Sequence, residues 1–528
     1  MTSISLTHVN WSTTDGRSVI ADLDMTFGCE RTGLVGRNGI GKSTLLRLIA
    51  GTLKPLSGTV VREGTLSLLD QRMALEPGGS VADLFGLEDA VSILRRAERG
   101  EASIADLEAA DWTLPERFAA AIGSVALDVG LDTPLDALSG GQRTRAGLAA
   151  ALFAQPDFLL WDEPTNNLDR AGRRLVIEVL SAWKAGAIIV SHDRELLEQM
   201  DAIVELTSLG AARYGGGWSR YRQQKGFELA AAQRDLAQAQ GRADRIERQA
   251  QRASERAARS AAAGARKGAR GDLPRILIGA RKSAAESSQG EGMRLIERQK
   301  RQAGDSLSAA RAKVERLQKL AVVLPPSRLS AGRMVLRVGD LVAGYDPHAP
   351  IITGMSFSIH GPERVALTGP NGSGKSTLLR AVTGSLPPFR GAISLAAGWA
   401  FLDQSVTVLD PAASIAENFR RLNPGSTEND CRAALAGFLF RADAALQAVG
   451  MLSGGQLLRA GLACVLGGAN PPQLLMLDEP TNHLDIESVE AIETALAAYD
   501  GALLVVSHDE RFLDAVGIDR RIELARRP

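Results

Sequence analysis

GRNGIGKST, residues 36–44, and GPNGSGKST, residues 369–377, decide the fold. Both fit Gly-x-x-x-x-Gly-Lys-[Ser/Thr]. Each follows a short apolar run, Leu34-Val35 or Val365-Ala366-Leu367, and leads into a helix-forming stretch, STLLRLIAG or STLLRAVTG. Glycine backbone lets several N–H groups converge on phosphate oxygens, and the helix N-terminus that follows adds positive potential. The pattern predicts two triphosphate-binding loops. The first comprises Gly36, Arg37, Asn38, Gly39, Ile40, Gly41, Lys42, Ser43 and Thr44; the second comprises Gly369, Pro370, Asn371, Gly372, Ser373, Gly374, Lys375, Ser376 and Thr377. Lys42 and Lys375 are expected to reach the β- and γ-phosphates, and Ser43 and Ser376 to bind Mg²⁺.

Outward from the loops the chain repeats itself. LDQ occurs at 69–71 and 402–404, LSGGQ at 138–142 and 452–456, WDEPTNNLD at 161–169 against LDEPTNHLD at 477–485, and VSHD at 190–193 and 506–509. The spacing between copies is 333 at the loops and 314 at LSGGQ, so the first copy holds 19 additional residues between Gln71 and Ser139. This is one large module duplicated rather than a short-period solenoid. The apolar runs 158–161, 187–190, 474–477 and 502–506 suit strands buried on both faces of a parallel sheet, with polar groups emerging at their ends. The expected fold class is α/β, with two P-loop cassettes at 1–222 and 327–528 joined by a helical linker at 223–326.

Asp162 and Asp478, at strand ends, suit a carboxylate that holds Mg²⁺ through water. Glu163 and Glu479 come next and would orient or deprotonate an attacking water. Gln71 and Gln404 share a matched context and can complete the metal or water shell. His192 and His508 each end an apolar run, where contact with a γ-phosphate is expected. Glycines before a helix form a second phosphate-binding nest from Ser139, Gly140, Gly141 and Gln142, and again from Ser453, Gly454, Gly455 and Gln456. These residues alone do not assign that nest to one half's nucleotide or the other's.

The 528 residues carry 61 basic and 61 acidic side chains, yet the balance is uneven. Lys225–Leu320 holds 22 basic and 11 acidic residues and so carries +11. Arg256–Lys282 has eight basic residues against Asp272 alone. Such a block is where a polyanion would be held. The segment is rich in Ala, Gln, Arg and Glu, and helices are expected over 226–262 and 291–320, broken at 264–274 and ended by Pro325-Pro326. The expected shape is an antiparallel hairpin whose tip offers Arg266, Lys267, Arg270, Arg275, Arg281 and Lys282 to RNA. A composition of 45% hydrophobic and 23% charged residues excludes collagen-like, disordered and disulfide-scaffold chains. No apolar run reaches membrane-spanning length, and MTSISLTHVNWSTTDG lacks the pattern of a secretory signal. Cys29, Cys431 and Cys464 read as buried thiols in a reducing cytosol.

LSGGQ together with both phosphate loops, both Asp-Glu pairs, the two glutamines and the two histidines resembles the ATP-binding cassette superfamily. The resemblance implies head-to-tail cassettes enclosing two ATP molecules with Mg²⁺, Lys42 and Glu163 facing Ser453 and Gly455, and Lys375 and Glu479 facing Ser139 and Gly141. EPTNNLD, EPTNHLD and YGGGWSRYRQQK (214–225) are similar to the ABC-F branch, whose members lack membrane domains. That branch implies a monomeric ATPase whose linker enters the ribosome at the exit site and approaches rRNA and tRNA. ATP binding closes the cassettes and hydrolysis releases the factor, which tunes translation or protects it from antibiotics. A transporter motor with a separate membrane subunit and a DNA-repair-type ATPase are the alternatives, and the basic linker speaks against the first. The family stacks an aromatic on adenine. Tyr345 fits in the second half, whereas Thr14 occupies the matching place in the first and Trp11 is the available substitute. The additional residues of the first half are few for the extended arm some members turn to the ribosomal stalk, and no basic coiled coil follows His508.

Overall fold

The apolar runs become strands of two large sheets, one per cassette. The computed structural model describes residues 2–69, 79–166, 168–207, 210–268, 297–311, 324–396, 398–482 and 484–525. In the first cassette, β1 (Ser3–Ser12), β2 (Ser18–Phe27) and β4 (Ser57–Glu63) form an antiparallel sheet in the order β2-β1-β4. The second sheet contains β3 (Arg31–Val35), β5 (Leu66–Leu69), β6 (Phe158–Asp162), β7 (Gly186–Val190), β8 (Ala202–Thr207) and β9 (Gly210–Gly215). Its order is β5-β6-β7-β3-β8-β9, parallel except for β8 with β9.

The second cassette repeats this. An antiparallel sheet, β11-β10-β13, is made by β10 (Met334–Ala343), β11 (Ile352–His360) and β13 (Arg390–Leu395). A parallel sheet, β14-β15-β16-β12-β17, is made by β12 (Arg364–Thr368), β14 (Trp399–Leu402), β15 (Leu474–Asp478), β16 (Ala502–Val506) and β17 (Arg520–Glu523). FLLWD, GAIIV and ALLVV are buried along their whole length, the signature of strands covered on both faces. The order also places the chemistry. β6, β7 and β3 are neighbours, as are β15, β16 and β12, so the residues after their C-terminal ends share one edge, where open α/β sheets bind ligands.

The 19 additional residues of the first cassette fall among its short helices. Val81–Phe85, Glu88–Glu98, Ile104–Ala109 and Leu114–Ser124 stand where the second cassette has Ile415–Leu422 and Glu428–Gly437. The next helix, Trp218–Gly268, has 51 residues, about 75 Å at 1.5 Å per residue. It begins before the expected start and passes through Gly264, because one glycine costs a helix only about 1 kcal/mol and its neighbours are alanine and arginine. Residues 297–311 are helical. Arg266 and Lys267 fall in the last turn of the long helix; Arg270, Arg275, Arg281 and Lys282 lie outside the described residues, as does Gln71. The chain divides into two compact units, Met1–Tyr221 with Leu320–Pro528, and Arg222–Lys319. One cysteine differs from expectation. Cys431 and Cys464 are buried, but Cys29 follows the end of β2 and is exposed.

Candidate nucleotide sites

Both phosphate loops depend on glycine where no other residue fits. Gly36 has φ 149° and Gly369 has φ 143°. A Cβ on Gly36 would meet the Leu206 carbonyl oxygen at 2.5 Å, and one on Gly369 would collide with that of Leu524. Each loop turns into its helix through a left-handed glycine, Gly41 before Lys42–Ala50 and Gly374 before Lys375–Val382, and neither first turn carries an acidic residue. The helix dipoles are therefore uncompensated by side chains there. Lys42 Nζ donates to the carbonyls of Gly36 (2.7 Å) and Arg37 (3.2 Å). Lys375 Nζ donates to those of Gly369 (2.8 Å) and Pro370 (3.0 Å). Burial lowers both ammonium pKa values, against neighbouring carboxylates that raise them.

The Asp-Glu pairs complete the sites. Asp162 ends β6 and is buried; Asp478 ends β15, accepts a hydrogen bond from Ser376, and is pushed up mainly by burial. Glu163 and Glu479 occupy left-handed backbone, φ 51° and 47°, a conformation uncommon for glutamate and concentrated at functional positions. It is pinned by hydrogen bonds from Glu163 N to Val190 O and from Glu479 N to Val506 O, both 2.9 Å. Burial drives the Glu163 carboxyl up to about 8, with Lys42 opposing, and that of Glu479 up to about 7, with Lys375 opposing. Burial also drives the imidazoles down, His192 to about 3 and His508 to about 4. His192 Nε2 lies 3.2 Å from Glu163 Oε1, and His508 Nε2 lies 3.4 Å from Glu479 Oε1, neither with hydrogen-bond geometry. Each site thus holds a carboxyl whose pKa lies near neutral pH beside an uncharged imidazole, and a pKa close to the operating pH is what suits a group to proton transfer.

A cavity of about 430 Å³ joins these groups in the first cassette. Asn38, Gly39, Gly41, Lys42, Ser43, Thr44, Asp162, Glu163 and His192 line it, with Trp11, Thr13, Arg17 and Val19 from β1, β2 and their connecting turn. Strand pairing sets Trp11 against Ile20 and Ala343 against Ile352, so Thr13, not Thr14, stands level with Tyr345. Trp11 is the aromatic that reaches the cavity. Tyr345 is exposed, and its hydroxyl accepts a hydrogen bond from Arg380 (2.8 Å). Gln404 is exposed in the turn after β14.

The two LSGGQ segments are helix N-termini closed by reciprocal caps. Gln142 N donates to Ser139 Oγ (3.3 Å) and Ser139 N to Gln142 Oε1 (2.9 Å); the second copy matches with Gln456 N to Ser453 Oγ (3.4 Å) and Ser453 N to Gln456 Oε1 (3.0 Å). The helices Gly140–Phe153 and Gly454–Leu466 follow, again with no acid in their first turns. Gly455 abuts Ser488, and Asp485, one turn from Ser488, accepts a hydrogen bond from Asn38 N at 2.9 Å. The first phosphate loop is thereby tied to the second cassette. Arg194 to Glu493 and Asp509, Arg170 to Glu510, and Arg511 to Glu198 also cross between cassettes. Neither these pairings nor the left-handed glutamates could be found from residue types; the repeated EPTN-x-LD segments were their one visible sign.

A family model described as ABC transporter matches residues 21–166 and 352–482. The tylosin resistance ATP-binding protein TlrC of Streptomyces fradiae is 33% identical over 94% of this chain and 93% of its own. The energy-dependent translational throttle protein EttA of Mycobacterium tuberculosis is 29% identical over 94% and 88%, and ATP-binding cassette sub-family F member 3 of Rattus norvegicus 31% over 94% and 67%. Among solved structures, an RNase-L inhibitor shares the fold, with a TM-score of 0.59 and 19% identity over 98% of this chain and 87% of that one. No described helix is long and apolar enough to cross a membrane. The chain is an ATP-hydrolysing member of the ABC-F family of ATP-binding cassette proteins.

Proposed function

We propose that the chain is a cytosolic, monomeric ATPase that binds the ribosome near its exit site and tunes translation or protects it from antibiotics. ATP binding closes the cassettes at 1–222 and 327–528, and hydrolysis releases the protein. The observation that carries this reading is that a translational throttle and a tylosin resistance protein each align over 94% of the chain, a share too large to leave out the linker at 223–326. The linker's +11 charge supports contact with rRNA and tRNA, through Arg266, Lys267, Arg270, Arg275, Arg281 and Lys282.

In this reading Lys42 and Lys375 hold the terminal phosphates over the glycine cradles. The capped helix starts at Ser139–Gln142 and Ser453–Gln456 supply N–H donors to the nucleotide held by the opposite cassette. Trp11 and Tyr345 support the base. Ser43, Asp162 and Gln71 would hold Mg²⁺ in the first site, and Ser376, Asp478 and Gln404 in the second. The donor set fits a hard cation: hydroxyl and carboxylate oxygens converge, and Asp478 Oδ1 is buried without a hydrogen-bond partner among the described residues. Bound Mg²⁺ would neutralise charge on the β- and γ-phosphate oxygens. Glu163 or Glu479 takes the proton of the attacking water, while His192 or His508 faces the γ-phosphate.

Glu163→Gln with Glu479→Gln tests the reading, because the amide keeps size but cannot take a proton. Turnover should fall by about 10²–10⁴-fold, ATP should remain bound, and the protein should sediment with ribosomes only when ATP is present. Wild-type turnover would overturn the glutamate roles, and failure to sediment with ribosomes would overturn the ribosomal role.

A further inference from the structure

Asp169 and Asp485 hold equivalent places and cap equivalent helices, accepting hydrogen bonds from Gly172 N (3.0 Å) and Ser488 N (2.9 Å). One turn later the copies diverge: the first helix presents Arg173 where the second presents Val489. The Arg173 side chain is only 15% exposed. Its nearest carboxylate oxygen, Asp193 Oδ2, is 4.0 Å away. Arg173 Nε and Asp193 Oδ2 are both buried without a hydrogen-bond partner among the described residues. Arg170, three residues earlier on the same helix face, reaches into the second cassette and meets Glu510 at 3.3 Å, two residues past His508. The helix start is therefore docked beside the second site. The Arg173 charge is felt there, lowering the His508 imidazole together with burial and Lys375.

The first site is met differently. Its loop receives the Asp485 carboxylate on Asn38 N, and the groups acting on His192 include no cation of the second cassette. A buried guanidinium with incomplete pairing is costly to maintain. Its planar fork matches phosphate oxygens, and a preorganised charge of this kind acts where negative charge develops in a transition state.

We propose that Arg173 of the first cassette acts in trans at the second nucleotide site, meeting the terminal phosphate of ATP held by the Lys375 loop, and that the first site, whose counterpart helix carries the buried Val489 at the equivalent position, lacks this cation and hydrolyses ATP more slowly. The proposal rests on the ATPase reading above. In that step the water oxygen bonds to the γ-phosphorus and its proton passes to Glu479. The bond to the β–γ bridging oxygen breaks, and its electron pair leaves with ADP.

The test uses the full chain with one site silenced at a time. Glu163→Gln leaves the second site working and Glu479→Gln leaves the first. Adding Arg173→Ala should slow single-turnover hydrolysis about 10²-fold in the Glu163→Gln chain and by less than about twofold in the Glu479→Gln chain. Arg173→Lys should recover part of the loss. A binding readout is independent of turnover. With both glutamates intact, ADP trapped by aluminium fluoride should fall from two per chain to one on Arg173→Ala, with a far smaller loss of affinity for a fluorescent ATP analogue. Equal slowing in both single-site chains would reduce Arg173 to an interface residue, and undiminished trapping would remove it from the site. If both single-site chains are inactive before Arg173 is changed, the glutamate roles are wrong, and the trapping result still decides the role of Arg173.

Discussion

Replacing Glu163 by Gln should stabilise the nucleotide-free protein, by an amount that grows from nothing near pH 4.5 to its full size near pH 8. Burial raises the Glu163 carboxyl from 4.5 to about 8, and the Glu479 carboxyl from 4.5 to about 7. Between those limits the folded chain keeps a proton that the unfolded chain gives up. The stability these groups contribute is therefore complete below pH 4.5 and is lost as pH rises through the folded values. At about 1.36 kcal/mol per unit, the ceilings are about 5 kcal/mol for Glu163 and about 3 kcal/mol for Glu479. Glutamine keeps the shape and the left-handed backbone, so strain cancels in the comparison, and it has no proton to lose. Water entering the unliganded site screens part of the penalty. The expected gain for Glu163→Gln is about 2 kcal/mol at pH 8, or about 4–8 °C in Tm for a domain of this size, shrinking to nothing near pH 4.5. Calorimetric melts of wild type and variant across that range, without nucleotide, measure it. A gain of the same size at both ends, or a loss at pH 8, would refute the reasoning.

Trp11→Ala should weaken ATP at the first site by about 1–3 kcal/mol, and Tyr345→Ala should do so at the second, since each removes the ring on which the base would stack; titration of single-site chains with a fluorescent analogue separates the two. Glu493→Gln strips the buried Arg194 of its closer carboxylate, both side chains being nearly buried at 10% and 13% exposure. Because Asp509 remains 3.7 Å away, the cost should be about 2 kcal/mol, below the usual 3–5 for a broken buried pair, and should appear as faster ATP loss from the Glu163→Gln/Glu479→Gln chain. Changing Arg266, Lys267, Arg270, Arg275, Arg281 and Lys282 to Gln should weaken ribosome binding and flatten its salt dependence by about 0.7–0.9 for each phosphate no longer neutralised, with ribosome-free ATPase activity unchanged.

What could be read from the sequence is what residue type and spacing specify locally. GxxxxGKS between an apolar run and a helix marks a phosphate loop, and FLLWD or ALLVV suit strands covered on both faces of a parallel sheet. The sites' finer chemistry was not readable, because it depends on what the fold brings close. Glutamate does not announce a φ of 51°, and Asp485 touches Asn38 across a sequence separation of 447 residues. The base end shows the limit of counting along the chain. Irregular pairing in β1, with register shifts at Leu6/Val9 and Val9/Trp11, determines which threonine stands level with Tyr345. The exposure of Cys29 is equally invisible, because a cysteine's usual burial says nothing about a residue at a strand end.

That exposed thiol has a practical consequence. Cys431 is buried with its thiol pushed up, and Cys464 more so, to about 12, which leaves both unreactive at neutral pH. A maleimide dye offered to the unmodified chain should therefore attach at Cys29 alone, on the first cassette. With a single cysteine introduced on the surface of the second cassette, the natural sequence becomes a two-colour ruler. Whether one molecule opens and closes on a ribosome, as proposed above, could then be timed without rebuilding its thiols.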